Sequence, residues 1–211
     1  MTRSIGLLGG SFDPPHLAHL ALARAAIDQL PLDELRWLPA GLPWQKQREG
    51  RVLAPAADRL AMLHALVDGE PRMAIDDREM RRTGPSYTID TLRELAAEQP
   101  GARLWLVLGQ DQYARLDTWR DWPQLLQRAG LAVAARSGQA VQGPPDVAAT
   151  PHALRVLRLP ELPHAATDIR RLAAEGAAID ALATLAGTPV ARYIALHSLY
   201  RPHPGARKTT P

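Results

Sequence analysis

Short apolar runs alternate with helical patterns along almost the whole chain, and this alternation most narrows the fold. Strands are expected at Ser4–Leu8, Glu34–Leu38, Arg72–Ile75, Arg103–Leu108, Leu131–Ala134 and Leu154–Leu159. Helices are expected at Leu17–Gln29, Asp58–Val67, Thr88–Glu98, Trp122–Gln127, Asp168–Glu175 and Val190–His197. Strands separated by helices cannot pair as hairpins. The pattern therefore predicts an α/β fold with a mainly parallel sheet. Asp13 before Pro14 and Thr188 before Pro189 read as helix N-caps followed by proline at the first helical position. Thr167 reads as the cap of the helix that contains Arg170.

No internal repeat or linker interrupts the pattern, so residues 1–200 are expected to form one domain. Ser137–Thr150, rich in glycine and proline, reads as one long surface loop. Residues 201–211 read as a basic, disordered tail.

At 211 residues, with 46% hydrophobic and 22% charged residues, the chain has the composition of a soluble globular protein. Its longest apolar runs, such as Leu104–Leu108, fall far short of the ~20 residues a membrane-crossing helix needs. The first residues carry none of the apolar region and cleavage site of a secretory signal, so a cytoplasmic location is expected and no membrane partner. The chain has no cysteine, which excludes disulfides, thiolate metal sites and a cysteine nucleophile.

The net charge of +3 suggests nucleic acid until it is located. Without the tail residues Arg201, Arg207 and Lys208, the 22 remaining basic residues equal the 22 acidic ones. The excess is a tail and not a basic face, so no nucleic-acid partner is expected. An oligomer is possible but not legible in the sequence.

In a parallel sheet, ligands bind beyond the carboxyl ends of strands, where the strand order reverses. After the first strand come Gly9-Gly10-Ser11-Phe12-Asp13-Pro14-Pro15-His16-Leu17-Ala18-His19. The glycines let backbone approach a ligand, and the following helix start offers N–H groups and a positive dipole end to phosphate. His16 and His19, three apart, are neighbours there and can donate to a phosphate that gains charge in a transition state. The glycines do not fit the dinucleotide fingerprint, no Walker loop is present, and zincin helices use four-residue histidine spacing. Taken alone, such a pair has structural and functional readings about equally; its place after a strand and a Gly-Gly turn favours function.

This segment resembles the G-G-x-F-D-P-x-H-x-G-H signature of the nucleotidyltransferase superfamily, with Ala18 at the usual glycine. The resemblance implies a Rossmann-like, doubly wound parallel sheet flanked by helices, with a small C-terminal helical part. It also implies attack on the α-phosphate of a nucleoside triphosphate. Near the other end, His164-Ala165-Ala166-Thr167-Asp168-Ile169-Arg170 resembles the superfamily's S-x-T-x-x-R motif, with Ala165 at the first serine. There Thr167 and Arg170 are implied to hold the β- and γ-phosphates. Without the resemblance, Thr167 could simply cap a helix and Arg170 be a solvated charge.

Five further segments resemble the bacterial nicotinate-nucleotide adenylyltransferases in order along the chain. Pro39-Ala40-Gly41-Leu42-Pro43-Trp44-Gln45-Lys46 resembles the P-A-G-x-P-P-H-K loop, with Trp44-Gln45 in place of Pro-His. Lys46 is implied to steer or neutralise the triphosphate. Ser86-Tyr87-Thr88-Ile89-Asp90-Thr91-Leu92 resembles S-Y-T-x-D-T-L, which implies that Ser86, Tyr87 and Thr88 meet the nicotinate carboxylate at a helix start. Capping and packing are the other readings of these three. Gly109-Gln110-Asp111 resembles the G-x-D that contacts nucleotide sugars.

In Leu116-Asp117-Thr118-Trp119-Arg120-Asp121-Trp122, Trp119 is implied to stack on the pyridine ring, whereas Trp122 reads as core. Arg136, after the strand Leu131–Ala134, is implied to contact the mononucleotide phosphate. The implied ATP contacts are Gly9, Gly10, Ser11, Phe12, Gly109, Asp111 and Thr167, with His16, His19, Lys46 and Arg170 catalytic. Mg²⁺ is implied as a companion of ATP, held by phosphates and water rather than by dedicated protein ligands.

The expected reaction is adenylyl transfer from ATP to nicotinate mononucleotide, giving deamido-NAD and pyrophosphate. The alternatives are an adenylyltransferase for nicotinamide mononucleotide, phosphopantetheine or FMN, and a nucleotide-binding sensor without catalysis. Ala18 and Ala165 motivate the sensor.

Overall fold

A computed structural model describes residues 2–41, 52–135, 140–159 and 166–201. Six parallel strands, β1 (Ser4–Gly10), β2 (Glu34–Pro39), β3 (Met73–Ile75), β4 (Arg103–Gly109), β5 (Ala129–Ala134) and β6 (Leu154–Leu157), form one sheet in the order β3-β2-β1-β4-β5-β6. The helices are α1 (Leu17–Gln29), α2 (Ala56–Val67), α3 (Arg78–Arg81), α4 (Thr88–Glu98), α5 (Gln110–Tyr113), α6 (Trp122–Arg128), α7 (Pro145–Ala149), α8 (Ala166–Ala174), α9 (Ile179–Ala186) and α10 (Thr188–Leu196). A 3₁₀ turn occupies Leu116–Thr118. This is the expected Rossmann-like α/β sheet with helices at its C-terminal end.

Successive strand residues point to opposite faces, and the sequence loads both faces with apolar side chains. From β1 and β4, Ile5, Leu7, Leu104, Leu106 and Leu108 point to one face, where they meet Ile89, Leu92 and Leu95 of α4 and Leu125 and Leu126 of α6. Leu8, Trp105 and Val107 point to the other face, packing with Leu20, Ala23 and Ile27 of α1 and Met62, Leu63 and Leu66 of α2. On α1 and α2 these positions recur at three- and four-residue spacing, the stripe a surface helix needs to cover a sheet. Fully burying one such side chain is worth roughly 1.5–3 kcal/mol, so β4, buried from Leu104 to Leu108, is firmly held at the centre.

Several boundaries differ from expectation for identifiable reasons. Helix α1 begins at Leu17 with His16 as its N-cap. Asp13 does not cap it, because its carboxylate turns inward to accept from the Ala54 N–H at 3.1 Å and the Tyr200 hydroxyl at 2.9 Å. Gly187, not Thr188, is the N-cap of α10, which places Pro189 second in that helix. Thr167 lies inside α8, which starts one residue earlier. Within the expected Ser137–Thr150 loop, Pro145–Ala149 forms the short α7. Helix α9 lies in a stretch where no element was expected; its Leu182 and Ala186 are buried.

Candidate active site

Strands β1 and β4 are neighbours at the point where the strand order turns back. Their pairing stops at Leu7 with Leu106, although both strands continue to Gly10 and Gly109. Beyond β1 the chain passes to α1 on one face; beyond β4 it passes to the turn at Leu116 and to α6 on the other. Connections that part this way leave a crevice at the strand ends. A Cβ placed on Gly9 or on Gly109 would meet nothing within 4 Å, so both glycines border open space there.

The turn after β1 is held by packing. Phe12 sits at φ 47°, a left-handed conformation that a bulky side chain adopts only under constraint. The constraint is visible: its buried ring lies edge-on to His19 at 5.2 Å and tilted on Trp37 at 5.4 Å. Two residues behind it, a Cβ on Gly10 would press on that ring at 3.0 Å. The carbonyl of His16 accepts from the His19 and Leu20 N–H groups at 2.9 and 3.2 Å, opening α1. The two imidazoles stack at 3.7 Å, 25° from parallel. His16 is buried and His19 half-buried, at the positive end of a thirteen-residue helix.

Arg170 joins the two ends of the chain. From α8 its guanidinium donates to the Asp13 carbonyl at 2.7 Å and to the Thr167 hydroxyl at 3.0 Å. The turn after β1 and the first turn of α8 thus face each other, and Arg170 bonds to both. Asp13 ties the same turn to Tyr200, the last aromatic residue of the chain.

One residue that holds this region escaped the sequence reading. Arg59 of α2, 2% exposed, donates to four backbone carbonyls. They belong to Ser11 at 2.7 Å, Ala40 at 2.8 Å, Gly41 at 3.2 Å and Ala54 at 3.1 Å. Burial pushes its pKa below the ordinary arginine range, opposed by the Asp13 charge. The available signal was spacing: Arg59, Met62, Leu63 and Leu66 share the apolar stripe of α2, where a charged residue must be buried and paired.

The region around α4 is built differently. Ser86 is buried, and its hydroxyl donates to the Glu79 carbonyl at 3.1 Å. Its side chain is therefore an internal tie. A Cβ on Gly41 would press on that same carbonyl, so only glycine lets this loop touch α3. The buried Glu79 carboxyl accepts from Thr91 at 2.7 Å, and Arg82 reaches Thr91 and Glu94. Burial raises the Glu79 pKa, against the Thr91 hydrogen bond and the Arg82 charge.

Tyr87 is the N-cap of α4 and Thr88 its first residue, neither making a side-chain cap. Trp119 follows the 3₁₀ turn, half-buried, and Tyr87, Trp119 and Trp122 pack on the same apolar cluster. Asp111 is exposed in the first turn of α5, beside Gly109.

The structure thus brings His16, His19, Thr167 and Arg170 around one turn, with Gly9, Gly10, Ser11 and Phe12 forming it. Gly109 and Asp111 lie across the crevice. Ser86, Tyr87, Thr88 and Trp119 stand on the α4 face. Lys46 and Arg136 lie outside the described residues.

Residues 7–172 match the cytidylyltransferase-like family. A protein of Methylibium petroleiphilum named "Probable nicotinate-nucleotide adenylyltransferase" is 47% identical over 204 residues, covering 96% of this chain and 95% of the relative. A Bordetella petrii protein of the same name is 48% identical, covering 94% and 100%. Among solved structures, the Plasmodium falciparum nicotinic acid mononucleotide adenylyltransferase complexed with NaAD superposes with a TM-score of 0.75 at 18% identity. It covers 94% of this chain and 97% of its own, a likeness of fold. Near-full-length identity at this level, on a sheet whose crevice carries the histidine pair, has one reading: the chain belongs to the cytidylyltransferase-like family and, within it, to the nicotinate-nucleotide adenylyltransferases.

Proposed function

We propose that this protein transfers the adenylyl group of ATP to nicotinate mononucleotide, releasing pyrophosphate and forming deamido-NAD, a step of NAD biosynthesis. The observation that carries the reading is the stacked His16–His19 pair at the start of α1, beside a crevice left open at Gly9 and Gly109. The 5′-phosphate of the mononucleotide attacks the α-phosphorus of ATP in line. One P–O bond forms there as the bond to the bridging oxygen of the β-phosphate breaks, and pyrophosphate carries away the electron pair. The attacking oxygen is already anionic, so no protein nucleophile is needed. Catalysis is positioning and charge stabilisation.

Each imidazole has at least one N–H to donate, and His16 and His19 meet the charge that gathers on the α-phosphoryl oxygens. Gly9, Gly10, Ser11 and Phe12 present backbone to the ATP phosphates. Thr167, Arg170 and Lys46 receive the β- and γ-phosphates, and Gly109 and Asp111 meet the sugars. Trp119 stacks on the pyridine ring, Arg136 meets the mononucleotide phosphate, and Ser86, Tyr87 and Thr88 frame the nicotinate carboxylate. For Ser86 the hydroxyl is engaged with Glu79, so its part in that frame is its backbone.

Among the described residues no group of three or more His, Asp or Glu side chains is placed to hold a metal ion. Mg²⁺ would arrive with the triphosphate, carried by phosphate oxygens and water. Bound this way, it neutralises phosphate charge.

The test is pyrophosphate release from ATP and Mg²⁺ with nicotinate mononucleotide, nicotinamide mononucleotide, phosphopantetheine and FMN side by side. Strong release with the nicotinate form is expected. Faster release with any of the others would replace the acceptor, and ATP binding without release would replace catalysis by sensing.

A further inference from the structure

The turn after β1 offers phosphate sites to any mononucleotide, so selection of a carboxylate over a carboxamide must come from the pyridine end. We propose that the Arg120 guanidinium supplies that selection, as the cation that receives the nicotinate carboxylate. The inference rests on the reading that the pyridine ring stacks on Trp119.

Three observations converge on Arg120. It directly follows Trp119, and its guanidinium carbon lies 4.7 Å from the centroid of the Tyr87 ring. Tyr87 and Trp119 both pack on the apolar cluster beneath α4, so the cation is pinned on the wall from which the stacking indole comes. Three arginines on or against α4 are already engaged with carboxylates. Arg93 pairs with Asp90 and Asp121, Arg82 with Glu94, and Arg78 with Asp76 and Glu98. Among the described residues, no carboxylate pairs with Arg120, which is exposed.

A guanidinium lying over an aromatic face keeps its N–H edge for a planar acceptor, and a carboxylate matches that edge with two oxygens. A carboxamide offers one oxygen and turns donors toward donors with its nitrogen. Hydrogen bonds to charged groups are roughly twice as strong as neutral ones, a difference of about tenfold or more in selectivity. The Tyr87 ring has a defined part in this arrangement: it holds the cation in place by its face.

The experiment compares kcat/KM for nicotinate and nicotinamide mononucleotides in the wild-type protein, Arg120→Gln and Arg120→Lys. Arg120→Gln is expected to lower kcat/KM for the nicotinate form about tenfold or more, while the nicotinamide form changes less than about twofold. Arg120→Lys keeps the charge without the fork, and part of the preference should survive. The residue is exposed, so the melting temperature should stay near that of the wild type. An equal fall for both substrates, which is the signature of a phosphate contact, overturns the proposal; so does an unchanged ratio. If the wild-type protein itself releases no pyrophosphate with the nicotinate form, the reading it rests on fails with it. If the wild type turns over and only the ratio fails to move, the function stands and the role of Arg120 falls.

Discussion

The two ends of the crevice are held in opposite ways. At the phosphate end, side chains grip backbone: buried Arg59 binds four carbonyls, buried Asp13 an N–H, and half-buried Arg170 the carbonyl of Asp13. At the pyridine end, half-buried aromatic rings and exposed arginines form a wall, supported from beneath by Glu79 and Thr91. Phosphoryl transfer gains from donors fixed before the charge develops, so the phosphate end repays rigid backbone. Recognition of one ring substituent needs side chains that can differ between relatives without disturbing the transfer chemistry. The difference predicts that damage at the phosphate end costs stability or turnover, and damage at the pyridine end costs substrate affinity and choice.

The strongest way to break the phosphate end is Arg59→Ala, which strands four carbonyls and removes a buried cation near the Asp13 charge. Loss of one partner from a buried charged arrangement costs roughly 3–5 kcal/mol, and chemical denaturation should report a fall of that size. Next comes His19→Ala, expected to lower kcat by roughly 10²–10³ with little change in the KM for the mononucleotide. Near-normal turnover by that variant would remove the histidine from the chemistry.

At the other end, Trp119→Ala should weaken nicotinate mononucleotide by ~1–3 kcal/mol in its KM, leaving the KM for ATP near its original value. A parallel loss of ATP affinity would erase the proposed separation of the two ends.

The smallest effect concerns the support beneath the wall. Glu79 has a raised folded pKa, so its stabilising share is present below the ordinary glutamate value of 4.5 and is lost as pH rises through the folded value. Glu79→Gln keeps an acceptor for Thr91 without the buried charge. The wild type should therefore lose stability relative to this variant as pH rises above 4.5. A pH-independent difference between the two denaturation midpoints would show that the carboxyl does not titrate differently in the folded protein.

Much of this architecture was legible because it depends on periodicity. The limits of α1 and α4 match those expected, since their apolar stripes begin and end where the helices do. The parallel sheet follows from the alternation of strands and helices, and the open turn after β1 from its two glycines. What was not legible is where a polar side chain turns. Asp13 has the composition of a helix cap, yet Ala54 and Tyr200, distant in sequence, draw its carboxylate inward. Ser86 looks like a ligand group in a string of letters, and only the fold shows its hydroxyl engaged by the Glu79 carbonyl. Helix α9 combines alanine with a short stripe of Leu182 and Ala186, too brief to stand out by period. Arg120 carried no motif; its interest comes from what surrounds it.

Adenylyl transfer requires attack at the α-phosphorus, and the fate of two labels tests it directly. The wild-type protein would be given nicotinate mononucleotide, Mg²⁺ and ATP labelled with phosphorus-32 at either the α- or the γ-phosphate. The predicted result is α-label in the dinucleotide and γ-label in pyrophosphate, in equal amounts. Recovery of the γ-label as inorganic phosphate, or of the α-label in ADP, would contradict it.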